Sequence, residues 1–410
     1  MLVEICILAL ITALWWLRGI LQECNQPTVP ELFYKKESPL HDHVVQNTPI
    51  LKKRFVPPLL WGRFGHWQTL AYGILGNRKS KRWLPKGTRT SLLCKDGATI
   101  TYDVFEPLAP HTSKEDLTFL VCPGIANSSE SVYIRSFVLY AQNSGYRCVV
   151  LNHLGVVPDV KLTAPRLFTY GGTAEYASMV DDVLAKYSGT TAIAVGFSMG
   201  ANVVSCYLSE SAEIQKRFLC GISVCQGYDI IRSRPLLLQW QQLRRAYMFS
   251  MTRNMKKLFA RHRDILFSDD MMKTHPKINM DAVFQATCLE QIDEHFTRFV
   301  LGYENLDKMY QDLSCSGKLH MINIPMVFIN ALDDPIVPPN LLDFVKDHTS
   351  NHETSMLVVT RHGGHLGFLE GDSLLMPNPV SWLSRFVVEY SDAVFGRSQI
   401  RNSEYPAAGN

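Results

Sequence analysis

The 410-residue sequence lacks a strong charge imbalance, a biased composition and an internal repeat. Forty-one Lys and Arg residues against 38 Asp and Glu leave a formal net charge of only +3, which argues against a dedicated nucleic-acid-binding protein. The 25 Gly and 21 Pro residues exclude collagen-like and low-complexity chains. Because 46% of the residues are hydrophobic, the chain can bury at least one sizeable core, as an ordinary globular protein does.

The cysteines form no Cys-x-x-Cys pair, and no group of residues has metal-ligand spacing. The ten cysteines are scattered, and several, such as Cys122 and Cys148, stand in apolar runs where a free thiol behaves as a small hydrophobic side chain. We therefore expect reduced structural thiols, no metal and no other cofactor.

Ile5 to Leu17 form an uncharged, mainly apolar run near the N-terminus, and Gly19, Ile20 and Leu21 extend it beyond Arg18. Val3 to Leu21 would span about 28 Å as a helix, close to the thickness of the hydrocarbon core of a bilayer. We expect residues 1–25 to form a single-pass membrane anchor. A buried or interfacial helix and a cleaved signal peptide are the alternatives. The run has neither a basic leader nor a small-residue cleavage site, which argues against the signal peptide. The cations after the run favour a cytoplasmic position for the rest of the chain: Arg18, Lys35 and Lys36.

The remaining chain divides into three parts. Residues 26–95 are rich in Pro and basic clusters and predict an irregular approach segment, whereas 96–395 predict one domain and 396–410 a tail. Ala98 to Phe105 alternate with period two, as in a half-buried edge strand. Short apolar runs follow at helix-length intervals: Leu117 to Cys122, Tyr146 to Leu151, Thr191 to Val195, Leu219 to Val224, Met326 to Ile329 and Met356 to Val359. This pattern predicts an α/β fold with a mostly parallel, doubly wound sheet.

About 100 residues, 225–325, interrupt the strand pattern. They contain helical stretches such as Leu236 to Leu258 and exceed the length of a normal connection, so we expect an inserted helical cap over about 229–322. Some of its apolar side chains suit an acyl chain, and core packing of the cap would explain them equally well: Met248, Met251, Met255, Leu258 and Phe259.

The pentapeptide Gly196-Phe197-Ser198-Met199-Gly200 has the form G-x-S-x-G. In hydrolases this motif places a serine in a strained turn between a strand and a helix, and its glycines avoid collisions with neighbouring chain. The motif alone is weak, but here an apolar run precedes it and a helix-forming stretch follows. Ser198 is therefore the candidate nucleophile, next to a helix N-terminus that favours negative charge.

A serine nucleophile needs a base, and the base needs an orienting carboxylate. Asp333 and Asp334 follow the strand predicted before the last, and His362 and His365 follow the last one, in the order Ser, acid, His. We prefer Asp334 because it directly precedes the Pro-Ile-Val-Pro turn. His365 is preferred because the glycine pair before it lets the loop approach Ser198. Each residue alone is more often structural, but three in this order at strand ends indicate catalysis.

Backbone donors must stabilise the oxyanion that forms during acyl transfer. One is the N–H of Met199, which follows the nucleophile, and we expect the other from the N–H of Ile125 in the loop Pro123 to Asn127. An ordinary glycine turn is the alternative for this loop. Four weaker signals are more readily structural: the glycosylation sequon at Asn127, an H-x-x-x-x-D pattern from His111 to Asp116, His66 and His153.

The combined motifs resemble the family of abhydrolase domain-containing protein 2, within the alpha/beta-hydrolase superfamily. The resemblance covers about residues 55 to 390 and is carried by Trp61 to Thr69, Pro123 to Asn127, Asn152 to Gly155, Gly196 to Gly200, Ser223 to Tyr228, Asp333 to Pro335 and His362 to Phe368. It implies a single-pass membrane monoacylglycerol lipase and esterase whose triad falls on Ser198, Asp334 and His365. It also implies a type II orientation, against the charge pattern, and a possible steroid ligand, for which the sequence shows no motif.

The sequence therefore predicts a membrane-anchored serine hydrolase that cleaves lipid carboxylic esters, monoacylglycerols first among them, through an acyl-enzyme on Ser198. Acyl transfer to an alcohol or thiol on the same residues is one alternative. A non-catalytic receptor for a lipid or steroid is another, which the intact triad disfavours.

Overall fold

A computed structural model describes residues 7, 9–14, 27–71 and 87–404, with side chains as far as residue 400. Within these residues, nine strands form one sheet: β1 (Glu31–Phe33), β2 (Thr88–Leu93), β3 (Thr99–Phe105), β4 (Leu117–Cys122), β5 (Arg147–Asn152), β6 (Thr191–Phe197), β7 (Phe218–Val224), β8 (Met326–Ala331) and β9 (Ser355–Thr360). The strand order across the sheet is β1-β9-β8-β7-β6-β4-β5-β3-β2.

The six strands in the middle of the sheet, from β9 across to β5, are parallel. Antiparallel pairs close both edges, β1 with β9 on one side and β3 with β5 and β2 on the other. Successive residues of a strand face opposite sides of the sheet. The side chains of each strand are therefore shared between two hydrophobic clusters, one on each face, and Leu120 packs in one and Val121 in the other. The predicted α/β fold class with a mostly parallel sheet is confirmed.

Helices cover both faces of the sheet. α1 (Pro39–Asn47), α2 (Val132–Asn143) and α15 (Trp382–Glu404) pack in the cluster of Val121, whereas α3 (Ala174–Lys186) and α4 (Met199–Ser209) pack in that of Leu120. The remaining helices of the body are α5 (Ala212–Gln215), α14 (Asp343–Asn351) and the 3₁₀ turns Pro49–Lys52 and Pro339–Leu341. A further helical stretch spans residues 65–71.

Between β7 and β8 the described chain is helical and contains no strand. Its α-helices are α6 (Ile230–Leu237), α7 (Arg244–Arg261), α8 (Arg263–Leu266), α9 (Asp269–Thr274), α10 (Met280–Gln285), α11 (Leu289–Ile292), α12 (Arg298–Val300) and α13 (Leu306–Leu313). The 3₁₀ turns Gln241–Leu243 and Leu319–Met321 and the π-helical turn Asp293–Thr297 complete the region. We call these residues, 229–322, the cap.

The helical stretch that we expected from Leu236 to Leu258 is interrupted. Helix α6 contains Pro235 and ends at Leu237, and Gln242 and Leu243 have left-handed φ values of 51° and 53° before α7 begins. A proline has no N–H to donate and its ring crowds the preceding turn, so a helix rarely continues far beyond it. The spacing of apolar residues in the sequence does not reveal this break.

The expected edge position of residues 98–105 is wrong, since β2 pairs outside β3. Two of the alternating polar residues of β3 are buried all the same, since Thr101 is 3% and Asp103 4% exposed. Arg89 of β2 donates two hydrogen bonds to the Asp103 carboxylate, at 2.8 and 2.9 Å. Burial alone would raise the pKa of Asp103, but Arg89 and the hydroxyl of Ser129 hold it below its ordinary value. The polar residues that alternate along β3 therefore do not face solvent at an edge of the sheet, since the buried Asp103 is paired with Arg89.

Residues 26–95 contain more structure than the irregular segment that the sequence predicts. They contribute β1, α1 and β2, and Val44, Ile50 and Phe55 are buried in the core. These elements are short and separated by prolines, so their apolar residues show no period. At the other end, α15 continues past residue 395 to Glu404, into the predicted tail.

The predicted anchor, residues 1–25, lies largely outside the described residues, of which 7 and 9–14 are helical. No helix in the described part of the chain is long and apolar enough to cross a membrane. Each cysteine that the structure describes has a free thiol, as predicted: Cys94, Cys122, Cys148, Cys206, Cys220, Cys225, Cys288 and Cys315.

Candidate active site

Ser198 occupies the turn between β6 and α4, with φ 54° and ψ −120°. A non-glycine residue in this region stores about 1–3 kcal/mol of strain. A Cβ at Gly196 would lie 2.4 Å from the Cα of Ala201, and one at Gly200 would lie 2.2 Å from the carbonyl oxygen of Cys122. Since these neighbours are backbone atoms that cannot move aside, the turn requires glycine at both positions.

Two hydrogen bonds join Ser198, His365 and Asp334. The Oγ of Ser198 is 2.8 Å from Nε2 of His365, and Nδ1 of the same imidazole is 2.8 Å from Oδ2 of Asp334. Asp334 is fully buried, and its Oδ1 accepts hydrogen bonds from the N–H groups of Ile336 and Val337 at 2.7 and 2.9 Å. The structure therefore brings together the three side chains chosen from the sequence, in the arrangement that lets an imidazole take a proton from a serine.

Asp333 and His362, the alternative candidates for the acid and the base, lie next to the site and make other contacts. Oδ1 of Asp333 accepts a hydrogen bond from the N–H of Gly364 at 2.8 Å, and its Oδ2 is 3.6 Å from Nδ1 of His362. Burial raises the pKa of Asp333. Asp333 thus holds the loop that carries His365, and the carboxylate bonded to the imidazole is that of Asp334.

The loop after β4 lies against the nucleophile. A Cβ at Gly124 would be 3.3 Å from the Cβ of Ser198, and Ile125 and Met199 line one cavity together with Ser198 and His365. The two residues that we expect to supply oxyanion donors therefore line the same cavity as Ser198.

Buried side chains hold this loop in place. The N–H of Gly124 donates to the hydroxyl of Tyr133 at 2.7 Å, and Nε2 of His153 is 2.8 Å from the carbonyl oxygen of Pro123. Burial lowers the pKa of His153, so this imidazole is neutral and donates to the carbonyl. His153 supports the loop, as the structural interpretation of this residue predicts.

The other weak sequence signals also have structural partners. The side-chain amide of Asn127 donates to the carbonyl oxygen of Ile125 at 2.8 Å, which orders the loop. His111 contacts Ser113 and Asp392 through its two ring nitrogens. His66 lies 3.0 Å from the hydroxyl of Tyr247 on α7 and links the helical stretch 65–71 to the cap.

The stretch 65–71 supports the histidine loop, and sequence reasoning missed this role. The hydroxyl of Thr69 accepts a hydrogen bond from the N–H of His365 at 2.9 Å. The fully buried amide of Gln68 bonds both backbone groups of Leu369, at 2.9 and 3.0 Å. A Cβ at Gly65 would lie 1.7 Å from a backbone oxygen of Asp333, so the two segments touch directly. No sequence period marks these contacts, because they join residues about 300 positions apart.

Replacing Thr69 with Val is expected to lower kcat for a soluble ester about 10- to 100-fold. The N–H of His365 loses its acceptor, an unmatched buried N–H costs about 1–3 kcal/mol, and each 1.4 kcal/mol corresponds to about tenfold in rate. Thr69→Ser keeps the hydroxyl and should remain within about threefold of the wild type by the same arithmetic. We would measure kcat, KM and Tm for both variants, and equal kcat values for Val and Ser would contradict this role.

A cavity of about 520 Å³ extends from Ser198 into the cap. Cap side chains on its wall are mainly apolar and include Met248, Met251, Met255 and Phe259. Leu258, the fifth residue of that predicted set, is buried in the larger core cluster. The cavity also has polar groups, among them Asp293, whose pKa burial raises to about 6 and whose carboxylate accepts from the hydroxyl of Tyr310.

Cys225, Asp334 and His365 have potential metal-ligand atoms within 4.8 Å of one another. However, both nitrogens of His365 already have hydrogen-bond partners in the serine and the carboxylate. Burial also raises the pKa of Cys225 well above its ordinary value, which keeps the thiol protonated. These contacts suit proton transfer better than they suit metal binding.

Known proteins are similar to this chain over most of its length. Residues 118–372 match the family described as alpha/beta hydrolase fold. Over 372 residues the chain is 45% identical to monoacylglycerol lipase ABHD2 of Mus musculus, which covers 90% of this chain and 87% of the relative. The chain belongs to the alpha/beta-hydrolase family. The resemblance found in the sequence is thereby confirmed.

This α/β hydrolase is also 41% identical to abhydrolase domain-containing protein 2 of Drosophila melanogaster, over 90% of this chain and 91% of the relative. Among solved structures, the esterase Pf2001 of Pyrococcus furiosus aligns with a TM-score of 0.43 and 14% identity, over 69% of this chain and 83% of that chain. Membership of this family, together with the relatives named monoacylglycerol lipase, identifies the chain as a serine ester hydrolase.

Proposed function

We propose that this α/β hydrolase cleaves carboxylic esters of lipids, with monoacylglycerols as its substrates, through an acyl-enzyme on Ser198. The observation that carries the proposal is the pair of 2.8 Å hydrogen bonds from Ser198 to His365 and from His365 to the buried Asp334. The relatives named monoacylglycerol lipase support the choice of substrate. The apolar cap wall offers space for an acyl chain.

In the first step, Oγ of Ser198 attacks the ester carbonyl while Nε2 of His365 takes the hydroxyl proton. The negative charge on the carbonyl oxygen is stabilised by the N–H groups of Met199 and Ile125. The tetrahedral intermediate then collapses, His365 returns the proton to the leaving alkoxide, and glycerol departs. Asp334 keeps the imidazole in the tautomer that can accept the proton and stabilises its charged form.

In the second step, water takes the place of glycerol. His365 removes a proton from the water, the hydroxide attacks the acyl carbonyl on Ser198, and collapse releases the fatty acid and regenerates the serine hydroxyl. The same acyl-enzyme could instead transfer its acyl group to an alcohol or thiol. Analysis of the products distinguishes this acyl transfer from hydrolysis by water.

We also propose that residues 1–25 anchor the hydrolase in a membrane, on the basis of their apolar composition. Resistance of the full-length protein to extraction by alkaline carbonate tests the anchor, and protease protection in sealed vesicles tests its orientation. The steroid ligand implied by the resemblance stays a prediction.

The purified full-length protein tests the proposal on a panel of monoacylglycerols, triacylglycerols, phospholipids and a soluble short-chain ester. We expect fatty acid release from monoacylglycerols, and we expect a fluorophosphonate that labels Ser198 to abolish it. A parallel reaction with excess alcohol separates hydrolysis from acyl transfer. Fatty acid release that persists after complete fluorophosphonate labelling, or activity confined to phospholipids, would contradict the proposal.

A further inference from the structure

The helical stretch 65–71 has its polar residues facing the protein and its apolar residues facing out. Gln68 is fully buried and Thr69 bonds the histidine loop, whereas Trp67 and Leu70 are 55 and 44% exposed and Phe64, directly before the stretch, is 41% exposed. Residues three apart lie on one side of a helix, and a helix that faces water normally places its apolar side inward. The outer side of this stretch is therefore not adapted to water.

Consecutive apolar residues at 374–376 are exposed next to residues 59–61, which lead into this stretch. Leu374, Leu375 and Met376 are 60, 53 and 57% exposed. The N–H of Leu60 donates to the carbonyl oxygen of Leu374 at 2.9 Å, and the indole of Trp61 donates to that of Leu375 at 2.7 Å. The two segments therefore form one continuous piece of surface.

The cap contributes a third apolar segment to the same surface. Trp240, Leu243 and Phe249 are 68, 55 and 50% exposed. Tyr247, between the last two, meets His66 through a 3.0 Å contact and stacked rings 5.7 Å apart, so the start of α7 adjoins the stretch 65–71. Leu237 and Leu238, which are followed by Gln239 and Trp240, line the cavity of Ser198. This segment thus connects the exposed apolar surface to the active site.

The path of the chain indicates what covers this surface. The N–H of Phe55 donates to the carbonyl oxygen of Thr28 at 2.9 Å, and the N–H of Gly371 donates to that of Val56 at 2.9 Å. The chain that follows the apolar N-terminal run therefore joins the body only a few residues from 59 and from 373. A membrane that holds the N-terminal run lies close to these segments.

We propose that the apolar surface formed by residues 59–70, 240–249 and 373–376 docks on a lipid bilayer. Exposed apolar patches of this extent mark interaction sites, and tryptophan is enriched where protein meets the membrane interface. Docking places the cavity of Ser198 at the bilayer, from which a lipid ester enters without crossing water. Entry of the lipid ester rests on the proposed activity, whereas docking rests on the exposed apolar surface and on the proposed membrane anchor. We call this region the bilayer-docking surface.

Quenching of tryptophan fluorescence tests the docking directly. The full-length protein is reconstituted in phosphatidylcholine vesicles that contain doxyl-labelled phosphatidylcholine. Trp67→Phe and Trp240→Phe keep the surface apolar but each removes an emitter, so we expect the fraction of emission that the lipid quenches to fall in each variant. Trp382→Phe removes an emitter that is only 1% exposed and serves as the control, with an expected rise in the quenched fraction.

Activity on two substrates tests the consequence for catalysis. The triple variant Trp67→Gln, Trp240→Gln, Leu375→Gln should lose at least about tenfold in hydrolysis of vesicle-embedded monoacylglycerol, equivalent to about 1.4 kcal/mol, and stay within about twofold on a soluble short-chain ester. Leu93→Gln with Leu108→Gln alters two residues that are 70 and 60% exposed outside the docking surface and should change neither rate.

Unchanged quenching in the two Phe variants would overturn the proposal. It would also be overturned if the protein formed dimers that persist in detergent and shield these tryptophans from the lipid quencher, since a second copy of the chain would then cover the surface. If the triple variant loses both activities, the fluorescence of the two Phe variants still decides the matter. If the wild type hydrolyses neither ester, the proposed function fails, and the quenching result stands independently of it.

Discussion

Replacing Ser198 with Ala is expected to lower kcat by about a millionfold, as removal of a triad nucleophile does. No other hydroxyl bonded to Nε2 of His365 would remain, so the residual rate would come from the oxyanion donors and from substrate binding alone. Alanine and serine bear similar strain at φ 54°, so the Tm should stay close to that of the wild type. The measurement is kcat on a soluble ester together with labelling by a fluorophosphonate.

Ser209→Ala provides the matched control, because Ser209 lies on the same helix and its hydroxyl donates to the carbonyl oxygen of Cys206 at 2.7 Å. This variant should retain labelling and activity. Wild-type labelling of Ser198→Ala would mean that another residue is the nucleophile.

Replacing Asp334 with Asn is expected to lower kcat by about ten thousandfold. Asparagine is nearly the same size and can keep the bonds from the N–H groups of Ile336 and Val337, so the fold should survive. Its amide nitrogen then faces Nδ1 of His365 and favours the tautomer in which Nε2 carries the proton. That imidazole cannot take the proton of Ser198.

Asp333→Asn is the sharpest control, since it makes the same chemical change one residue earlier. Asn at this position can still accept the hydrogen bond from the N–H of Gly364 through its side-chain oxygen. We expect a loss of at most about tenfold, within the ~1.4 kcal/mol of one modest hydrogen bond. Comparable losses in the two variants would mean that the two carboxylates act together, and a larger loss in Asp333→Asn would reverse the assignment.

The candidate site could be predicted to a large extent because its three side chains follow the carboxyl ends of parallel strands. These ends meet at one edge of the sheet, so residues far apart in the chain are brought together by the topology alone. Strand pattern and chain order thus pointed to Ser198, the Asp333-Asp334 pair and the two histidines. The choice within each pair depended on local turn chemistry, and the contacts now observed agree with it.

The sequence alone determined the elements whose signal is local. A buried parallel strand is a continuous apolar run, and the tight turn at Ser198 needs glycines at 196 and 200. The strands and this turn can therefore each be recognised from a few consecutive residues. Only the tertiary structure decided that β2 covers β3, that Arg89 neutralises the buried Asp103, and that Gln68 and Thr69 hold the loop of His365. These contacts join short segments without any period across large sequence separations. Their stability comes from partners that exist only after the chain has folded, and for this reason the inverted polarity of the stretch 65–71, and the docking surface that follows from it, emerged from the fold.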